Sequence, residues 1–450
     1  MRLKSCITLL LGMSIVLLSA CDRDFGSPPR PDVEVVDPDL TVVQSSAEVG
    51  LSLRVDSPRD VDRVTVDGRD LSFDAATSTW MGPVGLEIGY NRLDVQISIG
   101  DESPFADTLH AFRNDVSVEV IDQSVLPHDV GGHTITGDDR GVFYLIGGAL
   151  TVAGAGYADI IIREPGETRF RLRPWRFVAG RVGHTTTLLP DGRILVLGGA
   201  FVGGITTIEQ LIFEVEIYDP ADNSVTLIPT TGAPILRMYH TAVLRDDPDR
   251  VVVDLLGGRG DIGSGNNPEI GIRQDLRSFE LVNDTLHALH PSPGPFVAPL
   301  AGHTQTAVGA NTSPQSEVYF VAGMTFNDTL EPVAFAMNYD DPFGLDIADV
   351  SPREPGTIRH AAVRIMDGAV ALFGGRGEDP SDVRNTISIY AVDANRWFTV
   401  DESKLMNFPA RYGLTATAVE PGRILVLGGF DASGDALSAP RIVSFETHDN

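Results

Sequence analysis

Past Cys21 this 450-residue chain has no cysteine, and the only other one is Cys6. The folded part therefore has no disulfide, no thiolate nucleophile and no cysteine-ligated metal. Basic residues are also scarce: 34 Lys and Arg stand against 62 Asp and Glu, a formal charge of −28. A nucleic-acid binder needs a basic face to displace counterions, so that class is excluded. HExxH, GxSxG and P-loop patterns are absent, and no metal or cofactor motif is found. What is present is a hydrophobic fraction of 42%, enough for large cores, and 46 glycines that cluster in pairs.

Residues 1–21 read as an export signal. Arg2 and Lys4 form a positive start, and residues 7–18 form an apolar run too short for a membrane span. The run ends in Leu18-Ser19-Ala20-Cys21, which resembles the bacterial lipoprotein lipobox. That resemblance implies acylation of Cys21 and an envelope protein anchored to the inner or outer membrane, facing the periplasm or the cell surface. Several acyl chains on one residue meet the need for more than one hydrophobic anchor. Residues 22–32 carry Pro28, Pro29 and Pro31 and read as a stiff tether.

Residues 33–115 alternate apolar and polar in short runs, clearest at 33–36, 51–55, 61–66 and 93–99, with turn signals at Asp67-Gly68 and Gly89-Tyr-Asn91. The rhythm predicts a small β-sandwich and resembles bacterial immunoglobulin-like modules, which often serve as spacers.

From 116 onward the chain repeats roughly every 56 residues. His133, His184, His240, His303 and His360 each precede a β run that ends in a glycine pair or its remnant. The pairs are Gly147-Gly148, Gly198-Gly199, Gly257-Gly258 and Gly374-Gly375, with Ala322-Gly323 in the fourth unit. A sixth unit has Leu414 in place of histidine and Gly428-Gly429 as its pair. Arg181-Val-Gly-His184 with Tyr218-Asp219, and Tyr390 with Asn395-Arg-Trp397, resemble kelch repeats. The resemblance implies an all-β chain: a six-bladed kelch-type β-propeller over 116–450, preceded by the Ig-like sandwich. The sixth unit has three strands before the chain stops, so strand 116–121 is expected to supply its fourth and close the ring.

One histidine per unit suits a structural role, since ligands spread around a ring cannot converge on one ion. Arg181, Arg237 and Arg411 each stand three residues before the histidine position, and Arg359 lies one residue before His360. With Tyr239 and Tyr412 beside them, they are candidate ligands for an anion or acidic peptide at the channel mouth; pairing with local carboxylates is the competing reading. Asp-rich stretches at 246–249 and 340–341 lack EF-hand spacing and read as solvated loop. The expected function is that of an envelope-anchored, monomeric, non-enzymatic binding or scaffold protein with a protein or glycan partner and no cofactor. The alternative is a carbohydrate-active enzyme resembling the sialic-acid epimerases, which are also kelch propellers.

Overall fold

The computed structural model describes residues 30–447 apart from 58, 122–124, 233, 246, 248, 264–268, 290–298, 311–316, 328, 342–343, 351, 354 and 439. Cys21, the export signal, most of the tether, and Asp246 and Pro248 of the first Asp-rich stretch therefore lie outside the described residues. Among the described residues the chain is all-β, built of many small, mostly antiparallel sheets, with helix limited to short 3-10 turns such as Ile208–Gln210 and Glu402–Leu405.

Two four-stranded sheets come first. One orders Asp32–Asp37, Glu48–Asp56, Thr79–Gly85 and Ser72–Asp74; the other orders Arg69–Asp70, Arg63–Val66, Gly89–Ser98 and Phe105–Arg113. Alternation sends Leu51, Leu53, Val64, Val66, Val95 and Ile97 into one core between them.

From Thr134 the sheets repeat. The first orders Thr134–Gly137, Phe143–Ile146, Asp159–Arg163 and Arg171–Arg176; the second orders Thr185–Leu188, Ile194–Leu197, Val215–Asp219 and Ser224–Ile228. The third, fourth, fifth and sixth begin at Thr241–Leu244, Thr304–Ala310, Ala361–Met366 and Thr415–Glu420. The starting strands touch in cyclic order, and the sixth touches the first. Second strands such as Ile194–Leu197 and Val252–Leu256 are buried throughout, because each sheet packs a neighbour on both faces. Leu195 and Leu197, for example, share a cluster with Val253 and Leu255 of the third sheet, and Leu425 and Leu427 of the sixth share one with Phe143 and Leu145 of the first. This repetition of small stacked sheets is propeller-like.

The glycine pairs end these second strands. Both residues take left-handed φ, as at Gly147 (64°) and Gly148 (89°). A Cβ on Gly147 would stand 2.6 Å from the His184 ring and 2.7 Å from the Arg181 carbonyl of the next sheet, so neither the conformation nor the space admits a side chain. The fourth sheet tests this logic naturally. Ala322 replaces the first glycine, the turn does not form, and the strand runs on as Glu317–Asn327 paired with Thr329–Asp341. Residues 323–327 thus extend past Thr304, the start of the first strand, by roughly 15 Å at the usual rise per residue.

Ser117–Val120 pairs antiparallel with Arg441–Ser444 as the outer strand of the sixth sheet. The N-terminal domain is docked against this region. Val43 N–H donates to the Thr399 carbonyl (2.8 Å), and Thr399 N–H donates to Thr41 (2.9 Å), adding a short parallel segment beside the fifth sheet. Asn114 exchanges two hydrogen bonds with the Glu446 backbone, and Arg113 pairs with its carboxylate at 2.9 Å. Val43, Phe112 and Val116 belong to the same core as Phe398, Val400 and Phe445. The N-terminal domain thus shares a core with the sheets that follow it.

Candidate functional site at the channel mouth

The segments that enter the sheets are Val130-Gly-Gly-His133, Arg181-Val-Gly-His184, Arg237-Met-Tyr-His240, Leu300-Ala-Gly-His303, Thr357-Ile-Arg-His360 and Arg411-Tyr-Gly-Leu414. The third residue of each is left-handed, with φ between 54° and 67°. Its N–H donates to the carbonyl of the same residue one sheet back. Gly183 bonds Gly132 (3.2 Å), Tyr239 bonds Gly183 (2.7 Å), Gly302 bonds Tyr239 (2.8 Å) and Arg359 bonds Gly302 (2.6 Å). Gly413 bonds Arg359 (2.7 Å), and Gly132 returns to Gly413 (2.8 Å), closing the cycle. Every N–H in this ring is consumed by its neighbour, so the backbone offers no donor to a ligand.

Directly below lie the histidines. Each Nε2 meets the threonine hydroxyl that follows the equivalent residue one sheet back: His184 with Thr134 (3.1 Å), His240 with Thr185 (3.0 Å), His303 with Thr241 (3.1 Å), His360 with Thr304 (2.8 Å) and His133 with Thr415 (2.8 Å). The sixth junction would join residue 414 to residue 361, and these are leucine and alanine. Both partners of one hydrogen bond are apolar together, the replacement that leaves no orphaned polar group. All five imidazoles are 4–5% exposed. Burial holds His133, His303 and His360 down to about 3, and His184 and His240 well below the ordinary histidine range, so the ring is neutral.

The arginines expected to face a ligand divide. Arg181, Arg237 and Arg411 are at most 1% exposed, and each Nη1 donates to the first glycine carbonyl of its own sheet's pair: Gly198 (3.1 Å), Gly257 (2.9 Å) and Gly428 (3.0 Å). Arg181 also pairs with fully buried Glu216, and Arg237 with Asp275 at 3.1 Å. Burial lowers the pKa of all three guanidiniums, to about 10 for Arg237 and about 9 for Arg411. Asp275, though burial works against it, is held down to about 2 by Arg273 and Arg237. These three side chains do not line the mouth; they satisfy strand-end carbonyls that the glycine turns leave unpaired. Removing one member of the Arg181–Glu216 pair leaves a buried charge. Arg181→Ala or Glu216→Ala should therefore lower unfolding free energy by roughly 3–5 kcal/mol in a urea titration, while a joint Arg181→Met, Glu216→Leu exchange costs far less.

Arg359 and Tyr239 do reach the mouth. They are the two positions in the backbone cycle that are not glycine, and a left-handed residue with a Cβ costs about 1–2 kcal/mol. The Tyr239 ring lies over Gly183, where a Cβ would be 2.7 Å from it, and its hydroxyl donates to the Gly203 carbonyl (2.9 Å). The Arg359 stem crosses Gly302 and sets its guanidinium carbon 3.8 Å from the Tyr239 ring centre. Tyr412 is 4% exposed; its ring lies 5.8 Å from the Arg359 guanidinium carbon and 5.4 Å from that of Arg376. A cavity of about 130 Å³ is lined by Tyr239, Arg359, Phe430 and the histidine ring. Sequence reading missed Arg376, which follows Gly375 and pairs through its backbone with Ile358, next to Arg359. The usable signal was its offset, the first residue after a glycine pair.

No family model and no curated protein matches the chain. Among solved structures the chain is similar to the one titled "Structure of YjhT", at 15% identity and a TM-score of 0.51, over 72% of this chain and 99% of that one. YjhT is a kelch-like propeller protein, and at this identity the likeness shows the fold alone: all-β and propeller-like.

Proposed function

We propose that this chain is a lipid-anchored protein of the bacterial envelope in which a six-bladed kelch-type propeller, 116–450, works as a non-enzymatic binding or scaffold module. Residues 1–21 are its export signal, Cys21 its lipid anchor, 22–32 its tether and 33–115 an Ig-like sandwich. The observation that carries the binding role is the strain at the mouth. Two of six ring positions give up glycine at an energetic cost and use the side chains gained, Tyr239 and Arg359, to cover the channel. Strain of this kind is retained where it serves a site. The solvent-shielded ring of neutral histidines beneath is structural in this reading.

Two measurements test it. Cys21→Ser should abolish acyl labelling and move the protein from the membrane to the soluble fraction; a variant that stays with the membrane ends the lipoprotein reading. The soluble form should capture ligands on a glycan or protein array without turning them over. Catalysed mutarotation of a sialic acid would replace the binding role with an enzymatic one.

A further inference from the structure

We propose that Arg359 and Arg376 form an oxyanion site at the channel mouth, which holds a carboxylate or phosphate group of the ligand between the rings of Tyr239 and Tyr412. This rests on the binding role given above and adds the chemistry that the site recognises.

Charge balance is the first ground. Acidic residues outnumber basic ones 62 to 34, and many of the arginines elsewhere are paired, such as Arg113 with Glu446, Arg140 with Asp138, Arg245 with Asp254 and Arg384 with Asp382. Among the described residues, Arg359 and Arg376 have no carboxylate within ion-pair distance. Their contacts are aromatic faces, which attract the cation but leave the guanidinium N–H edges to other acceptors. Arg376 Nε is shielded from solvent and has no hydrogen-bond partner. A shielded donor without an acceptor is costly, and an oxyanion would satisfy it.

The second ground is mutual repulsion. Burial lowers the pKa of Arg376, and the positive charge of Arg359 lowers it further. Two like charges pressed against one tyrosine ring are unfavourable without an anion and favourable with one. The backbone cycle spends its own N–H groups, so the arginine side chains are the donors that define the site.

Arg359→Gly provides a test whose two readouts separate. Glycine is the residue at four of the six ring positions, so the variant relieves strain, and its melting temperature should equal or exceed that of the parent. Full-length protein in detergent would be titrated calorimetrically with inorganic phosphate, glucuronate and glucose. We expect binding of phosphate, glucuronate or both, weakened by added salt, and none of glucose. Arg359→Gly and Arg376→Gln should each weaken it by roughly 10- to 100-fold. Should Arg376→Gln fold poorly, Arg376→Lys keeps the charge, loses the planar fork and should still bind more weakly. Phosphate binding alone points to a phosphorylated ligand, and glucuronate binding alone to an acidic sugar. Binding unchanged in both arginine variants overturns the site, as does a lowered melting temperature for Arg359→Gly, which would make Arg359 structural. If the parent takes neither anion, the oxyanion site is lost, while the Cys21→Ser and array results still decide the anchored binding role.

Discussion

Between pH 7.5 and pH 5 the protein should lose most or all of its stability. The five ring histidines carry ordinary pKa values near 6.5 when unfolded, and burial pushes them to about 3 or well below the usual range when folded. The unfolded chain thus binds protons as pH falls below 6.5, and the folded chain does not until the pH is well below that range. Stability is complete above 6.5 and falls steadily below it, by up to about 1.4 kcal/mol per pH unit for each histidine. Five acting together remove about 10 kcal/mol by pH 5, which is comparable to the whole stability of an ordinary domain. Urea unfolding at stepped pH would show the midpoint dropping steeply below 6.5. The sixth junction suggests the control: Thr185→Ala with His240→Leu copies Ala361 and Leu414, and should reduce the pH slope by about one proton. Stability that stays level from pH 7.5 to pH 5 would show that these imidazoles titrate freely.

Truncation from the N-terminus should act in two steps. A chain starting at residue 116 loses Val43 and Phe112, whose ring packs 5.5 Å from that of Phe398, together with the Arg113–Glu446 pair. Burial of two such side chains stabilises by about 1.5–3 kcal/mol each, so with the lost backbone bonds the penalty is roughly 5 kcal/mol. A chain starting at residue 123 also loses Val116 and the strand Ser117–Val120, which leaves Arg441–Ser444 as an open edge. That chain should melt broadly, and repetitive stacked sheets without a closed ring are expected to fray from the exposed end. The two shortened chains melting alike would mean that Ser117–Val120 contributes nothing to closure. A chain from 116 melting like one from 33 would mean that the docked N-terminal domain is a passenger.

Periodicity alone made several features legible. The buried run Ile194–Leu197 reads as a strand from its unbroken apolar residues, and the glycine pairs mark strand ends because only glycine fits those turns. Even the missing turn of the fourth sheet is written locally, in Ala322. The same holds for the Leu414–Ala361 junction, once the partner rule is known. What the sequence could not decide was where the repeated arginines face. Arg181 and Arg237 occupy the same motif position as a surface ligand would, and their burial goes with Glu216 and Asp275, acids 35 and 38 residues downstream. Arg359 and Tyr239 look alike in sequence to those buried neighbours, yet a left-handed backbone carries them over the mouth. Local patterns report the strands because a strand's burial is repeated along its own residues. The direction of one guanidinium depends on which carboxylate, carbonyl or ring the ring of sheets brings beside it, and only the tertiary structure decides that.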